Sequence, residues 1–415
     1  MIIEPRLLER LYLDFDSFFA SAEQHFNPDL RGVKTNMPAR EARKIIPDMV
    51  FVVARPDVYV RLHERILAVI ETVLPIQFVR SIDEVVCALL PSEGKQGLAL
   101  ATRIKAALLD AFSPVLTCSI GMAPTELLAK VAAERQKPNG AVLLDPATLP
   151  HALADLTLRK LPGIGEGMAL RLEAAGVHDF PALWSLAPKQ ARAIWGNVEG
   201  ERFLQELHGF HAPRAKTRKR MFGHSRVLPN DWRSPEKVED CAKQLLAGAA
   251  RRLRRTDFRA SKLTLSLRSQ RLRSTRAKSA EAKRWSWEGQ FLPSRDYRSF
   301  CSTLAQGLSK ARQQVPFTPH AVSVVLHGLD EEADVIGDLL APLTDDADDR
   351  DHWEDVSDVM DELRARFGGK ALSLGTHDSV PGGYVGGKIA FGRIPEADDF
   401  EHAPGANDET HFCSF

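Results

Sequence analysis

Apolar strand patterns alternate with helical ones through the first 150 residues, and that alternation restricts this stretch to one α/β or α+β domain. Residues 7–15 read as a strand, with Leu11, Leu13 and Phe15 on one side and Tyr12 and Asp14 on the other. Ser17 to Phe26, Ala42 to Ile46 and Val60 to Leu74 carry helical spacing. Around Ser81 the pattern turns to strand, and Val85 to Leu90 is stopped by Pro91. Gly97 to Leu109 is helical, Val115 to Ile120 strand-like, and Thr125 to Glu134 helical again. The turn Lys137-Pro138-Asn139-Gly140 precedes the apolar run Ala141 to Leu144.

From Leu153 to Leu207 short helices are interrupted by Pro162-Gly163-Ile164-Gly165 and by Pro181 and Pro188. His211 to Arg220 is basic and lacks apolar periodicity, so it reads as a linker. Beyond it, Lys237 to Arg255 is helical, and Ser261 to Arg268 and Ala321 to Leu326 are strand-like. The end of the chain opens with acidic turns. It contains one helix, Val356 to Phe367, then a Gly-rich stretch and a polar end expected to be disordered.

Charge carries more information than its total. The 415 residues hold 55 Lys and Arg and 55 Asp and Glu, for a net of zero. Residues 214–284 nevertheless carry 22 basic against 6 acidic side chains, a net of +16, and residues 330–415 carry 6 against 22, a net of −16. A basic block of that density is the footprint of a nucleic-acid surface, the alternative being a solvated basic face. At 44% hydrophobic residues the chain has material for real cores, which excludes fibrous and wholly disordered classes. At ~150 residues per domain the length suggests two to four domains.

The five cysteines, Cys87, Cys118, Cys241, Cys301 and Cys413, are odd in number and widely spaced, without a CxxC pair. That argues against a disulfide framework or a zinc site and for a reducing compartment. The charged N-terminus is no secretory segment. The longest stretch without Asp, Glu, Lys or Arg, Gln313 to Leu329, is too polar and too short for a membrane span. The expectation is a cytoplasmic protein without a membrane partner.

Two acidic motifs carry the chemistry. Leu11 to Phe19 is an apolar strand ending at Asp14, with Phe15, Phe18 and Phe19 where the chain turns into a helix. Ser81-Ile82-Asp83-Glu84 places adjacent carboxylates before another apolar strand. Carboxylates from separate strands repel unless a positive charge lies between them, and hard divalent cations such as Mg²⁺ prefer such oxygen ligands. Two ions ~3.5–4 Å apart can hold the attacking and leaving oxygens of a phosphoryl transfer. Neighbours on an ideal strand point to opposite faces, so Asp83 and Glu84 converge only at a turn or bulge. Each motif taken alone also reads as a strand end with a solvated acid.

The order of motifs resembles the Y-family, or translesion, DNA polymerases. LYLDFDSFFASAE looks like that family's opening motif, SIDE its second acidic motif, and Ser119 to Pro124, Leu127 to Lys130 and Lys137 to Gly140 its third run. Leu161 to Gly165 resembles its helix-hairpin-helix and Arg252 to Leu265 its little finger, so the resemblance covers residues 8–330. It implies an α+β multidomain right hand: palm and truncated fingers over 1–152, a helical thumb with the helix-hairpin-helix over 153–212 and a basic linker over 213–221. A little finger over 222–329 and an acidic, partly disordered tail over 330–415 would complete it. By the same resemblance Asp14, Asp83, Glu84 and the Phe15 carbonyl would hold two Mg²⁺ ions between a primer end and a deoxynucleoside triphosphate. Phe19, beside Phe18, would exclude a ribose 2′-OH, and Lys137 would meet the triphosphate. Gly163 and Gly165 would approach the DNA backbone, and Arg251, Arg252 and Arg255 would add salt-dependent grip on a primer-template. For Trp285 and Trp287 a core role is favoured over base stacking. The protein is expected to act as a monomer.

The sequence departs from the family between Val33 and Met37, where Lys34, Thr35 and Asn36 bridge a gap normally filled by two strands. The Tyr and Arg that contact the triphosphate there have no counterpart. Thr125-Glu126 stands where the family usually has Asn-Lys, removing one positive charge. Gly337 to Pro342 lies where relatives carry a sliding-clamp peptide but lacks its glutamine and aromatic residue. The expected function is error-prone, template-directed DNA synthesis. The alternatives are a catalytically weak relative acting as a DNA-binding accessory and, more distantly, a nuclease using the same carboxylates. The acidic tail could also fold over the basic block and compete with DNA.

Overall fold

The computed structural model describes residues 7–27, 43–46, 54–214, 218–270, 282–331 and 345–367, with Leu372 and Ile394. The chain divides at Ala215/Lys216 into two compact units.

In the first unit β1 (Arg10–Phe15) leads through a tight turn into α1 (Phe18–Phe26), and α2 (Pro56–Glu71) precedes the hairpin β2 (Ile76–Ser81) and β3 (Glu84–Ala88). Then come α3 (Gly97–Ala111), β4 (Cys118–Ala123), α4 (Glu126–Glu134) and β5 (Ala141–Leu143). The strands form one sheet in the order β2-β3-β1-β4-β5, antiparallel except for the parallel pair β4–β5. β1 lies at the centre, and Leu11, Tyr12 and Leu13 are all buried because both sheet faces are covered. On the face of Tyr12 and Val86, α4 packs through Leu128, Ala129 and Ala132. That approach depends on Gly121 of β4, where a Cβ would sit 2.0 Å from the Ala129 carbonyl oxygen. Thr125 caps α4, its hydroxyl accepting the Leu128 N–H.

The same core continues into a run of short helices: α5 (Glu166–Ala174), α6 (Phe180–Trp184), α7 (Pro188–Trp195) and α8 (Glu199–Leu207). Pro181 and Pro188 occupy first-turn positions of α6 and α7, where a missing N–H costs nothing.

The second unit runs β6 (Met221–Val227), α9 (Pro235–Arg254), β7 (Phe258–Arg268), β8 (Arg284–Ser294), α10 (Tyr297–Gln314) and β9 (Ala321–Glu331). Its sheet has the order β6-β9-β7-β8, antiparallel throughout, so the last strand lies between the first two. Leu263, Leu265 and Leu267 of β7 and Val322, Val324 and Leu326 of β9 face α9 and α10 in one core. Trp285 and Trp287 pack against this core, as expected of them.

Finally α11 (Asp345–Phe367) packs on α10, with Ser357 and Met360 buried. Arg254, whose side chain is 4% exposed, donates to Asp361 at 2.7 Å, and Arg259 pairs with Glu354. The sequence pattern predicts this helix from Val356; it starts at Asp345, in the acidic segment expected to open with turns. Its acids pair with arginines of the basic block, which compensates the poor intrinsic helicity of repeated Asp. Strand β6 begins at Met221, the last residue assigned to the linker, and β9 runs past 329 to Glu331. The four described cysteines are free thiols, and no described helix is long and apolar enough to cross a membrane.

Candidate active site

Asp14 sits one residue before the end of β1 and pairs directly with Glu84 at the start of β3. Residues paired in this way share a sheet face, with Cβ atoms ~4.5–5.5 Å apart. Between β2 and β3, Ile82 and Asp83 form a two-residue turn flanked by the pair Ser81–Glu84. The turn removes the strand geometry that would have pointed Asp83 and Glu84 apart. The Ser81 hydroxyl lies within hydrogen-bond reach of both Asp83 Oδ1 and, at 3.3 Å, Glu84 Oε2, so the two carboxylates converge. The Phe15 N–H donates to the Asp83 carbonyl at 2.8 Å, fastening the turn to the end of β1. His63 of α2 is buried, which lowers its pKa, and it hydrogen-bonds the Ile82 backbone.

Two lysines meet these acids. Lys137 Nζ lies 2.8 Å from Asp14 Oδ1 and 2.6 Å from Glu134 Oε1, and Lys130 Nζ pairs with Glu84 Oε1. The buried Tyr12 hydroxyl also hydrogen-bonds Glu84. Burial pushes the Asp14 carboxyl up to about 7; Lys137 opposes that shift, and the neighbouring Glu134 and Glu84 add to it. Burial works against the charge on Lys137, but its bonds to Asp14 and Glu134 hold its pKa above the ordinary value. Among the described residues no three His, Cys, Asp or Glu groups are arranged around one point as a metal site. The donors themselves, the carboxylates of Asp14, Asp83 and Glu84 and the carbonyl of Phe15, are oxygen only. Oxygen donors of this kind are the ligands a hard divalent cation prefers, so their chemistry fits such an ion.

Sequence reading missed the residues that hold this site together. Asp16, buried beneath it, accepts the Asn139 N–H at 2.8 Å, the Thr117 hydroxyl at 2.9 Å and the Ser119 hydroxyl at 2.8 Å. These bonds fix the Lys137–Gly140 turn against β4, and Lys105 Nζ donates to Asn139 Oδ1 at 2.9 Å. The acid in an otherwise apolar run was the available signal. Glu126, the departure noted above, takes both forks of Arg80, at 2.7 and 2.5 Å.

Ser17, at φ 50°, is the N-cap of α1, and consecutive helical residues point ~100° apart, so Phe18 and Phe19 face differently. Phe18 is buried with its ring 6.1 Å from Phe15, whereas Phe19 is 46% exposed. Gly163 has φ +89°, a region closed to most side chains, and Gly165 is the N-cap of α5 with nothing within 4 Å of where its Cβ would lie. In the second unit Arg252 is turned inward, donating to the Gly248 and Gly223 carbonyls at 3.1 and 3.0 Å. Arg251 is half-buried and Arg255 exposed. The finger segment 33–42 and the clamp-like segment 337–342 lie outside the described residues.

Residues 31–134 match the impB/mucB/samB family, and residues 219–339 match that family's C-terminal domain. The DNA polymerase IV of Moorella thermoacetica is 30% identical over 292 residues, covering 62% of this chain and 72% of that protein. The DNA polymerase IV of Saccharolobus solfataricus is 27% identical over 221 residues, covering 46% of this chain and 62% of that one. Among solved structures, a Y-family DNA polymerase chimera of Dbh and Dpo4 superposes with a TM-score of 0.61 at 21% identity, over 78% of this chain and 99% of the chimera, which shows a shared fold. Two family segments in their order and a relative matched over most of its length make this chain a member of the Y-family of DNA polymerases.

Proposed function

We propose that the protein is a template-directed DNA polymerase that extends primers in error-prone translesion synthesis. The observation that supports this reading is the cross-strand pairing of Asp14 with Glu84, and the Ser81 hydroxyl within reach of both Glu84 and Asp83. Asp14, Asp83, Glu84 and the Phe15 carbonyl would hold two Mg²⁺ ions, which would supply charge neutralisation for the transferring phosphoryl group. Lys137, paired with Asp14 and carried on a loop held by Asp16, would meet the triphosphate. Phe19 presents an exposed ring and would exclude a ribose 2′-OH. Gly163 and Gly165 leave the α5 N-terminus open to a DNA phosphate, as in a helix-hairpin-helix thumb. Arg251, Arg255 and the basic linker add electrostatic grip.

A second reading, a catalytically weak relative that serves as a DNA-binding accessory, is favoured by the shortened fingers between Val33 and Met37. Losing one clamp on a triphosphate costs a few kcal/mol of transition-state stabilisation, roughly. Primer extension on undamaged and abasic templates separates the two. Extension by the wild type that disappears in Asp83→Ala/Glu84→Ala supports the polymerase; intact DNA binding without extension supports the accessory.

A further inference from the structure

Phe19 does not stand alone. Its ring lies 5.9 Å from Phe18 at 60° and 5.2 Å from Tyr59 of α2 at 46°. Phe18 is anchored in the core. Tyr59 is 3% exposed, and its hydroxyl donates to Glu23 Oε1 at 2.7 Å. Glu23 in turn receives Arg55 through Nε at 3.1 Å and Nη2 at 2.6 Å, a fork that a planar guanidinium and a carboxylate form only in one relative orientation. The chain of contacts therefore runs from Arg55 through Glu23 and Tyr59 to Phe19, and each link joins α1 to α2 or to the segment just before it. An exposed ring on a free rotamer is a poor obstacle, because it swings aside at little cost. A ring wedged between a core phenylalanine and a hydrogen-bonded tyrosine is a fixed one.

We propose that Tyr59, held by Glu23 and Arg55, is a positioning residue for sugar selection: it keeps Phe19 in the orientation that rejects a ribonucleotide. The inference rests on the reading of Phe19 given above and names the device that makes that ring effective. Tyr59 itself touches no substrate. Its ring, rather than its hydroxyl, bears on Phe19, while the hydroxyl fixes the ring.

The test is a double-mutant cycle read as selectivity. The ratio of deoxyribonucleoside to ribonucleoside triphosphate affinity is measured for the full chain on a primer-template with a dideoxy-terminated primer, which requires no turnover, and insertion ratios on an extendable primer run alongside. Phe19→Ala is expected to collapse the ratio. Tyr59→Leu is expected to lower it about tenfold, the size of effect that a pocket loses with one misplaced group, while deoxynucleotide affinity changes less. Tyr59→Phe, which keeps the ring, falls between Tyr59→Leu and the wild type. In the Phe19→Ala background Tyr59→Leu is expected to change nothing further, because both act through one ring. If Phe19→Ala leaves the ratio intact, the reading of Phe19 fails, and this inference with it. If Phe19→Ala collapses the ratio but Tyr59→Leu does not move it, or moves it equally with and without Phe19, only the role given to Tyr59 is overturned. Thermal midpoints of all variants separate lost selectivity from lost folding.

Discussion

The Asp16 carboxylate accepts the Asn139 N–H at 2.8 Å across 123 residues of sequence, and the same group holds Ser119 and Thr117 of the neighbouring strand and its approach. The acid that follows Asp14 and Phe15 is thus the anchor of the loop that carries Lys137. Replacing it with alanine leaves the buried Ser119 hydroxyl and the Asn139 N–H without acceptors. The expected loss is about 3 kcal/mol, given ~1–3 kcal/mol for each orphaned buried donor. A thermal midpoint of Asp16→Ala equal to that of the wild type would contradict this assignment, and Asp16→Asn should fall between them.

Asp14 makes stability depend on pH in a defined direction. Its carboxyl is pushed up to about 7 in the folded chain by burial, against an ordinary value of 3.8. Between those values the folded state binds more protons than the unfolded one, so stability falls as pH rises from about 4 to 7 and levels off above. The difference corresponds to something on the order of 4 kcal/mol. Without divalent ions, urea unfolding of Asp14→Asn should lack this decline and exceed the wild type at pH 8. Parallel pH profiles for the two proteins would refute it.

The two glycines before α5 separate folding from phosphate contact. Gly163 lies at φ +89°, so Gly163→Ala should cost about 1–2 kcal/mol through backbone strain alone. Gly165 has an ordinary φ of −80° and open space around its missing side chain, so Gly165→Ala should cost only the poorer N-cap, about 0.5–1 kcal/mol. A methyl group there still stands between backbone and phosphate. Weaker duplex binding by Gly165→Ala than by Gly163→Ala, in a chain still fully folded at the assay temperature, is the expected result in an anisotropy titration; unchanged affinity removes α5 from the DNA contact.

The acidic helix α11 covers arginines rather than trailing free. Asp361→Asn strips the counter-charge from Arg254, whose side chain is 4% exposed, and should destabilise the second unit by about 3 kcal/mol. A chain ending after Glu331 uncovers Arg254 and Arg259 together. At low salt it should bind duplex DNA more tightly than the full chain, with a salt slope steeper by roughly two. Equal affinity would show that the helix and DNA do not compete.

Much of this site could be read from residue order, because its parts are local: an apolar strand ending in Asp14, and four residues, Ser81 to Glu84, that become a turn. The convergence of Asp83 and Glu84 could not be read, since it depends on whether the chain reverses there. Asp16 escaped notice because its three partners come from residues 117, 119 and 139, and no spacing announces such a set. Edge strand β2 was missed for a different reason. Its middle residues, Gln77 to Arg80, are exposed, so the alternation that marks a half-covered strand is absent. In the second unit β6, β8 and α10 escaped the same reading: β6 begins in a segment dominated by charge, and β8 shows its alternation only through Trp285, Trp287, Gly289 and Phe291. The helix that α11 forms depends on Arg254 and Arg259, about a hundred positions upstream.

The position of β9 between β6 and β7 sets the moment at which the second unit can exist. Until residue 331 has left the ribosome, its sheet is two fragments with unpaired inner edges and the apolar faces of α9 and α10 incompletely covered. A chain cut short by a premature stop after β8 would consequently be no smaller version of the unit but a target for proteases and aggregation. Synthesis of the final strand, rather than of the first, is the step that commits this half of the molecule to its native state.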